Sequence, residues 1–157
     1  MSVTGILAML VVFNVVYTLI STPAGSLSDR IGREKMIIGG WLVYALVYFG
    51  FGLAGTAWHM WVLYILYGFY YGLAYGTSKA MVADLVPESL RGTAYGTYNA
   101  VLGMIDLPAS LIAGFLWQGV GSWEGFGPGA PFLFGAGAAL TAAVLMAVWM
   151  RKGTRAA

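Results

Sequence analysis

The chain has 157 residues, 60% of them hydrophobic and 9% charged, with a net charge of +2 and a mean hydropathy of +0.80. That charged fraction is far below the roughly one quarter of ordinary soluble domains, so the chain belongs in a membrane, and so small a charge gives no ground for a nucleic-acid partner. With no cysteine present, disulfides and thiolate metal sites are excluded.

Crossing the hydrocarbon takes about 20 residues of helix, and five segments meet that length: residues 3–21, 36–54, 60–78, 93–117 and 131–150. The fold predicted is an all-α integral membrane protein, one transmembrane domain of five spans over 1–157 with a tail at 151–157. The apolar runs are too long and too continuous for the strands of about 10 residues that build a membrane barrel. The start, MSV, lacks the basic region of a signal peptide, so the first span is expected to be retained.

After the first span comes GSLSDRIGREK, residues 25–35, where five of eleven residues are charged. It reads as a turn between two apolar stretches. The next connections carry Gly55, then Pro87 with Gly92, then the Gly/Pro-rich run GVGSWEGFGPGAP at 119–131, whose Trp123 and Phe126 suit the membrane interface.

The eight basic residues are Arg30, Arg33, Lys35, Lys79, Arg91, Arg151, Lys152 and Arg155. If the spans alternate in direction, all fall on one side. Cytoplasmic loops collect Lys and Arg, so an inner-membrane protein is predicted, with its N-terminus outside and its C-terminus in the cytoplasm. An odd number of spans beginning outside suggests the tail of a longer protein.

Polar residues divide the helices. In the first span Asn14, Tyr17 and Ser21 follow helical spacing and are expected on one face; the third carries Tyr64, Tyr67, Tyr71, Tyr75 and Ser78; the fourth carries Asn99, Asp106, Ser110 and Trp117. These three spans suit the border of a solute pathway, while the second and fifth suit lipid-facing support. Two readings of the tyrosines stand, ligand contact and packing. Gly68, Gly72 and Gly76, and likewise Gly135, Ala139, Ala143 and Ala147, are small-residue seams for helix packing.

Asp106 is an acid near the middle of a span, where an ionised carboxylate costs about 2.5 to 3.5 kcal/mol on insertion scales. Facing a wet cavity it would bind a cation or a substrate amine, or exchange a proton; the other reading is a neutral carboxyl bonded to a neighbouring helix. Lys79, near Tyr75, either reaches the headgroups or meets an anionic substrate. His59, between Trp58 and Trp61, reads as an interfacial residue, with a proton-linked role as the other reading. A single histidine and the absence of nucleophile, metal-ligand and phosphate-loop motifs argue against an enzyme. No cofactor is expected.

The nonapeptide GSLSDRIGR, residues 25–33, matches the G-x-L-[AS]-D-R-x-G-R signature of the major facilitator superfamily, and VADLVPESLRGTAYGTYNAVLG, residues 82–103, resembles the tenth-to-eleventh helix turn of bacterial facilitators. The resemblance implies that the five spans correspond to helices eight to twelve of a twelve-helix secondary transporter, the C-terminal part of a protein that moves a small solute, with a proton or sodium ion as the possible driving ion. It also implies that Gly25, Leu27, Asp29, Arg30, Gly32 and Arg33 form a cytoplasmic gating latch. Asp29 would engage a helix of the missing N-terminal half, and Arg91, Gly92 and Thr93 would receive that half's latch. Membrane lipids, the solute, and the missing half or a second chain are the expected partners. The competing reading is a truncated, non-transporting membrane subunit that acts through helix association.

Overall fold

The computed structural model describes residues 2–153, with side chains through Arg151; the expected tail therefore falls largely outside the described residues, Arg155 included. Five long helices make up the described chain: α1 (Val3–Ile31), α2 (Arg33–Leu53), α3 (Ala57–Asp84), α4 (Arg91–Gln118) and α5 (Ala130–Gly153), with a short 3-10 turn, Glu88–Leu90, before α4.

Local chemistry sets their ends. Ser2 caps α1, its hydroxyl accepting from the Gly5 amide at 3.2 Å, and Thr56 does the same for α3 through the His59 amide at 3.4 Å. Helix α1 stops at Gly32, whose φ of +99° is a conformation only glycine adopts without strain, and α2 begins at the next residue. Residues 25–35 are therefore not an open turn. They form the last turns of α1, a one-residue joint and the first turn of α2. Helix continues there because Ser26 and Ser28 satisfy their hydroxyls on the carbonyls of Pro23 and Gly25, at 2.9 and 2.8 Å, and the charges project from an exposed surface.

Among the described residues four helices are long and apolar enough to cross a membrane: α1, α2, α5, and α4 with its preceding 3-10 turn. At 28 residues α3 has the length but not the hydropathy, because phenols repeat along it. Its position explains how this is tolerated: α3 packs against α1 on one side and α2 on the other, so much of its surface meets protein.

Contacts between named residues fix the directions. Gly68 and Gly72 of α3 meet Val16 and Ile20 of α1 in ascending order, so these two helices run parallel, while Gly40 and Gly50 of α2 meet Ala74 and Leu63 of α3 in descending order. Helix α5 is antiparallel to α2, with Leu133 against Gly52 and Gly135 against Tyr48. The C-terminal ends of α1, α3 and α5 thus share one end of the bundle with the start of α2.

The close approaches use small residues. A Cβ on Gly72 would lie 2.6 Å from Ile20 Cγ2, and one on Gly68 3.0 Å from the Phe13 carbonyl, whereas Gly76 faces open space. Two of the three glycines form a seam. On α5, Ala139 and Ala143 of the expected stripe are buried while Gly135 and Ala147 are half-buried, and Ala136, outside the stripe, is buried as well. Helix α2, expected to face lipid, instead lies between α3 and α5. Helix α4 stands apart, touching α3 and α5 thinly and burying no residue.

Candidate functional site

Three arrangements hold the residues singled out by the sequence. The first is a charge clasp at the end shared by α1, α2 and α3. Arg33, just past the Gly32 joint, places Nη1 2.6 Å from Asp29 Oδ1, one turn back on α1, and donates from Nε to Asp84 Oδ2 at 3.0 Å, at the end of α3. Its Nη1 also donates to the buried Ser28 hydroxyl. A planar guanidinium with five donors suits this shared task. Asp84 pairs with Arg33 rather than with Arg30 or Arg91, while Glu88 lies 3.7 Å from Arg91. Gly25 and Gly32 are half-buried; Leu27 and Arg30 are exposed, as are Arg91, Gly92 and Thr93 at the start of α4.

The second is a wall of aromatic rings across α1, α3 and α2. Tyr67, Tyr71 and Tyr75 of α3 follow one another along one side, the first two meeting edge-on with centroids 5.1 Å apart and the last two stacked at 5.7 Å. From α1, Tyr17 meets Tyr71 and Tyr75 edge-on at 6.0 and 6.5 Å, and Phe13 meets Tyr71 at 5.2 Å. From α2, Tyr48 lies 5.9 Å from Tyr67 and Tyr44 lies 4.8 Å from Tyr70, and Phe132 of α5 closes on Tyr48 at 5.7 Å. Edge-to-face and offset pairs of this kind each add about 0.5 to 1.5 kcal/mol beyond burial. At the charged end, Lys79 Nζ sits 4.5 Å above the Tyr75 ring. Tyr67 is packed on many sides, while Tyr75 is 40% exposed.

Tyr44, Tyr48 and Phe13 were not marked by sequence reasoning. Tyr44 and Tyr48 are four residues apart and their rings stack at 3.9 Å, and that spacing was the available signal.

The third arrangement is α4, where Asn99, Asp106 and Ser110 are all exposed. Ser110 donates to the Asp106 backbone carbonyl at 2.7 Å, and among the described residues no hydrogen bond or ion pair reaches the Asp106 carboxyl. Among the described residues no hydrogen bond or ion pair joins these three side chains to the tyrosine wall. Asn14 parts from Tyr17 as well: its amide donates to its own helix at Leu10, 2.8 Å away, and it lines a groove of about 610 Å³ with Leu7, Leu10, Val11, Val15 and Leu19. Those side chains leave the apolar outer surface of α1 open. No cluster of three or more potential metal ligands occurs among the described residues.

Comparison with known proteins agrees with the charged signature. The family model described as Major Facilitator Superfamily matches residues 1–156. A curated relative, "Uncharacterized MFS-type transporter MJ1317" of Methanocaldococcus jannaschii, is 37% identical over 140 residues, which cover 89% of this chain and 33% of the relative. The chain thus spans about a third of that protein's length. No solved structure matches significantly.

Proposed function

The chain belongs to the major facilitator superfamily, and from that premise we propose that it is the C-terminal part of a secondary active transporter, carrying a small solute by rocking two helical halves about a midplane site. The clasp of Asp29, Arg33 and Asp84 carries this reading. It sits on the family signature and ties α1 to α3 at the end where the described basic residues gather, which in this reading is the cytoplasmic face of the inner membrane. The clasp links α1, α2 and α3 at that end, and the packing of α1 and α2 against α3 makes them the one body that rigid-body rocking requires. The bare surfaces of α1 and α4 are the faces that the other half would cover, with Asp29 and the start of α4 forming the gate between halves. The proposal includes no enzyme chemistry and no cofactor; Asp106 would serve a driving proton or sodium ion.

The test is solute flux in liposomes with the chain alone and joined behind a seven-helix N-terminal half. Flux is expected only from the joined protein; flux through the chain alone would overturn the half-transporter reading. The competing reading, a subunit that works by helix association, draws on Gly96, Gly103 and Gly114 of α4, which face open space. It predicts a stable oligomer of the chain and no flux from either form.

A further inference from the structure

We propose that Lys79, Tyr75, Tyr71 and Tyr17 form a binding site for an aromatic organic anion, whose ring lies against the phenols and whose carboxylate meets the Lys79 ammonium. As a transport site this rests on the reading above, but the binding itself belongs to this chain. The first observation is the placing of the cation. An ammonium that served only the headgroups would extend away from the helix, whereas Lys79 Nζ is held 4.5 Å over the Tyr75 ring, beside the aromatic surface.

The second observation is its charge balance. Of the acids at this end, Asp29 and Asp84 pair with Arg33 and Glu88 pairs with Arg91; Glu34, at the start of α2, forms no ion pair with Lys79 among the described residues. The ammonium is left with a ring face and no carboxylate. That favours an anion and repels a cation.

The third observation is access. Tyr75 is 40% exposed, Tyr17, Tyr71 and Lys79 are half-buried, and the space beside Gly76 on the same turn is open. Tyr17 and Tyr75 stand nearly perpendicular, with an interplanar angle of 78°, so a ligand ring would meet one phenol by its edge and the other by its face. The carboxylate of such a ligand then gains a charge-assisted bond to the ammonium.

The probes are benzoate, benzyl alcohol and benzylamine, which share a ring and differ in charge, added to the full chain in phosphatidylcholine nanodiscs and followed by equilibrium dialysis. Benzoate is expected to bind at least about tenfold more tightly than either of the others. Lys79→Gln should remove that preference with the helical circular dichroism intact, and Lys79→Arg should retain it. Equal binding of the three probes, or a benzoate preference that survives Lys79→Gln, overturns the proposal. A preference seen in phosphatidylcholine but abolished in phosphatidylglycerol assigns the anion to a lipid headgroup and equally overturns it. Because binding is read without flux, its failure leaves the transporter reading standing, and failure of flux leaves the site standing.

Discussion

Arg33 and Asp84 lie 51 positions apart in the sequence, yet Nε of one donates to Oδ2 of the other at 3.0 Å, and this bond ties the joint between α1 and α2 to the end of α3. Asp29 completes the bridge from the other side. The guanidinium side chain is 24% exposed and the carboxylates are 61% and 56% exposed, so water screens each pair. Arg33→Gln should therefore lower the stability of the purified protein by only about 0.5 to 1 kcal/mol, measured by denaturant unfolding in detergent. Arg33→Lys keeps the charge but cannot fork to both acids, and should fall between the two. A Lys variant as stable as the parent would show that the fork contributes nothing, and a loss equal to that from Gln would show that the charge without the fork contributes nothing.

Gly32 makes that clasp possible by reversing the chain in one residue. With φ at +99° and ψ at 141°, any side chain there is strained by about 1 to 3 kcal/mol. Gly32→Ala is expected to destabilise by that amount, whereas Gly25→Ala, which has open space for a methyl group inside helix α1, should be neutral or slightly stabilising. Equal unfolding midpoints for the two variants would contradict the positive φ.

The α1–α3 seam offers a second matched pair. A methyl group on Gly72 would press on Ile20 at 2.6 Å and lie 3.3 Å from its backbone carbonyl carbon, while Gly76, one turn on, meets nothing within 4 Å. Overpacking of this kind costs about 1 to 3 kcal/mol, so Gly72→Ala should lower the melting temperature clearly. Gly76→Ala should leave it unchanged or raise it, by the preference for Ala over Gly in a helix.

How far the sequence foretold these features depends on what each one needs. Helices and their order follow from apolar length, and the grouping of Arg30, Arg33, Lys35, Lys79 and Arg91 follows from alternating direction. The signature at residues 25–33 pointed to the family, later matched over residues 1–156. Its form differs from the turn that charge density suggests, because Ser26 and Ser28 satisfy their hydroxyls within a helix. Tyr44 and Tyr48 lie on a span whose few polar groups suit lipid-facing support, and only the antiparallel docking of α2 on α3 brings them to Tyr67 and Tyr70. Asn14 and Tyr17 lie at helical spacing, yet a difference of one flank separates the open groove from the aromatic wall. The isolation of α4 has no local signature at all, since it depends on which neighbours are available to it.

That isolation decides how Asp106 should behave. A carboxyl bonded to a neighbouring helix would be costly to alter, because removing it leaves a partner unsatisfied at about 1 to 3 kcal/mol. Here the residue is exposed on a helix that buries nothing, and no described side chain bonds it, so Asp106→Asn should leave stability unchanged or raise it, because no partner is orphaned and a charge leaves the span. The same substitution in the joined protein removes a charge from the face that the other half is proposed to cover. If Asp106 serves the driving ion, concentrative uptake should be lost while downhill exchange persists, because exchange needs the solute site and the rocking motion but no net ion movement. Stability unchanged together with uptake unchanged would remove Asp106 from the driving-ion role. A stability loss above about 1 kcal/mol would instead place its carboxyl against a partner helix, which the exposed position in this structure does not allow.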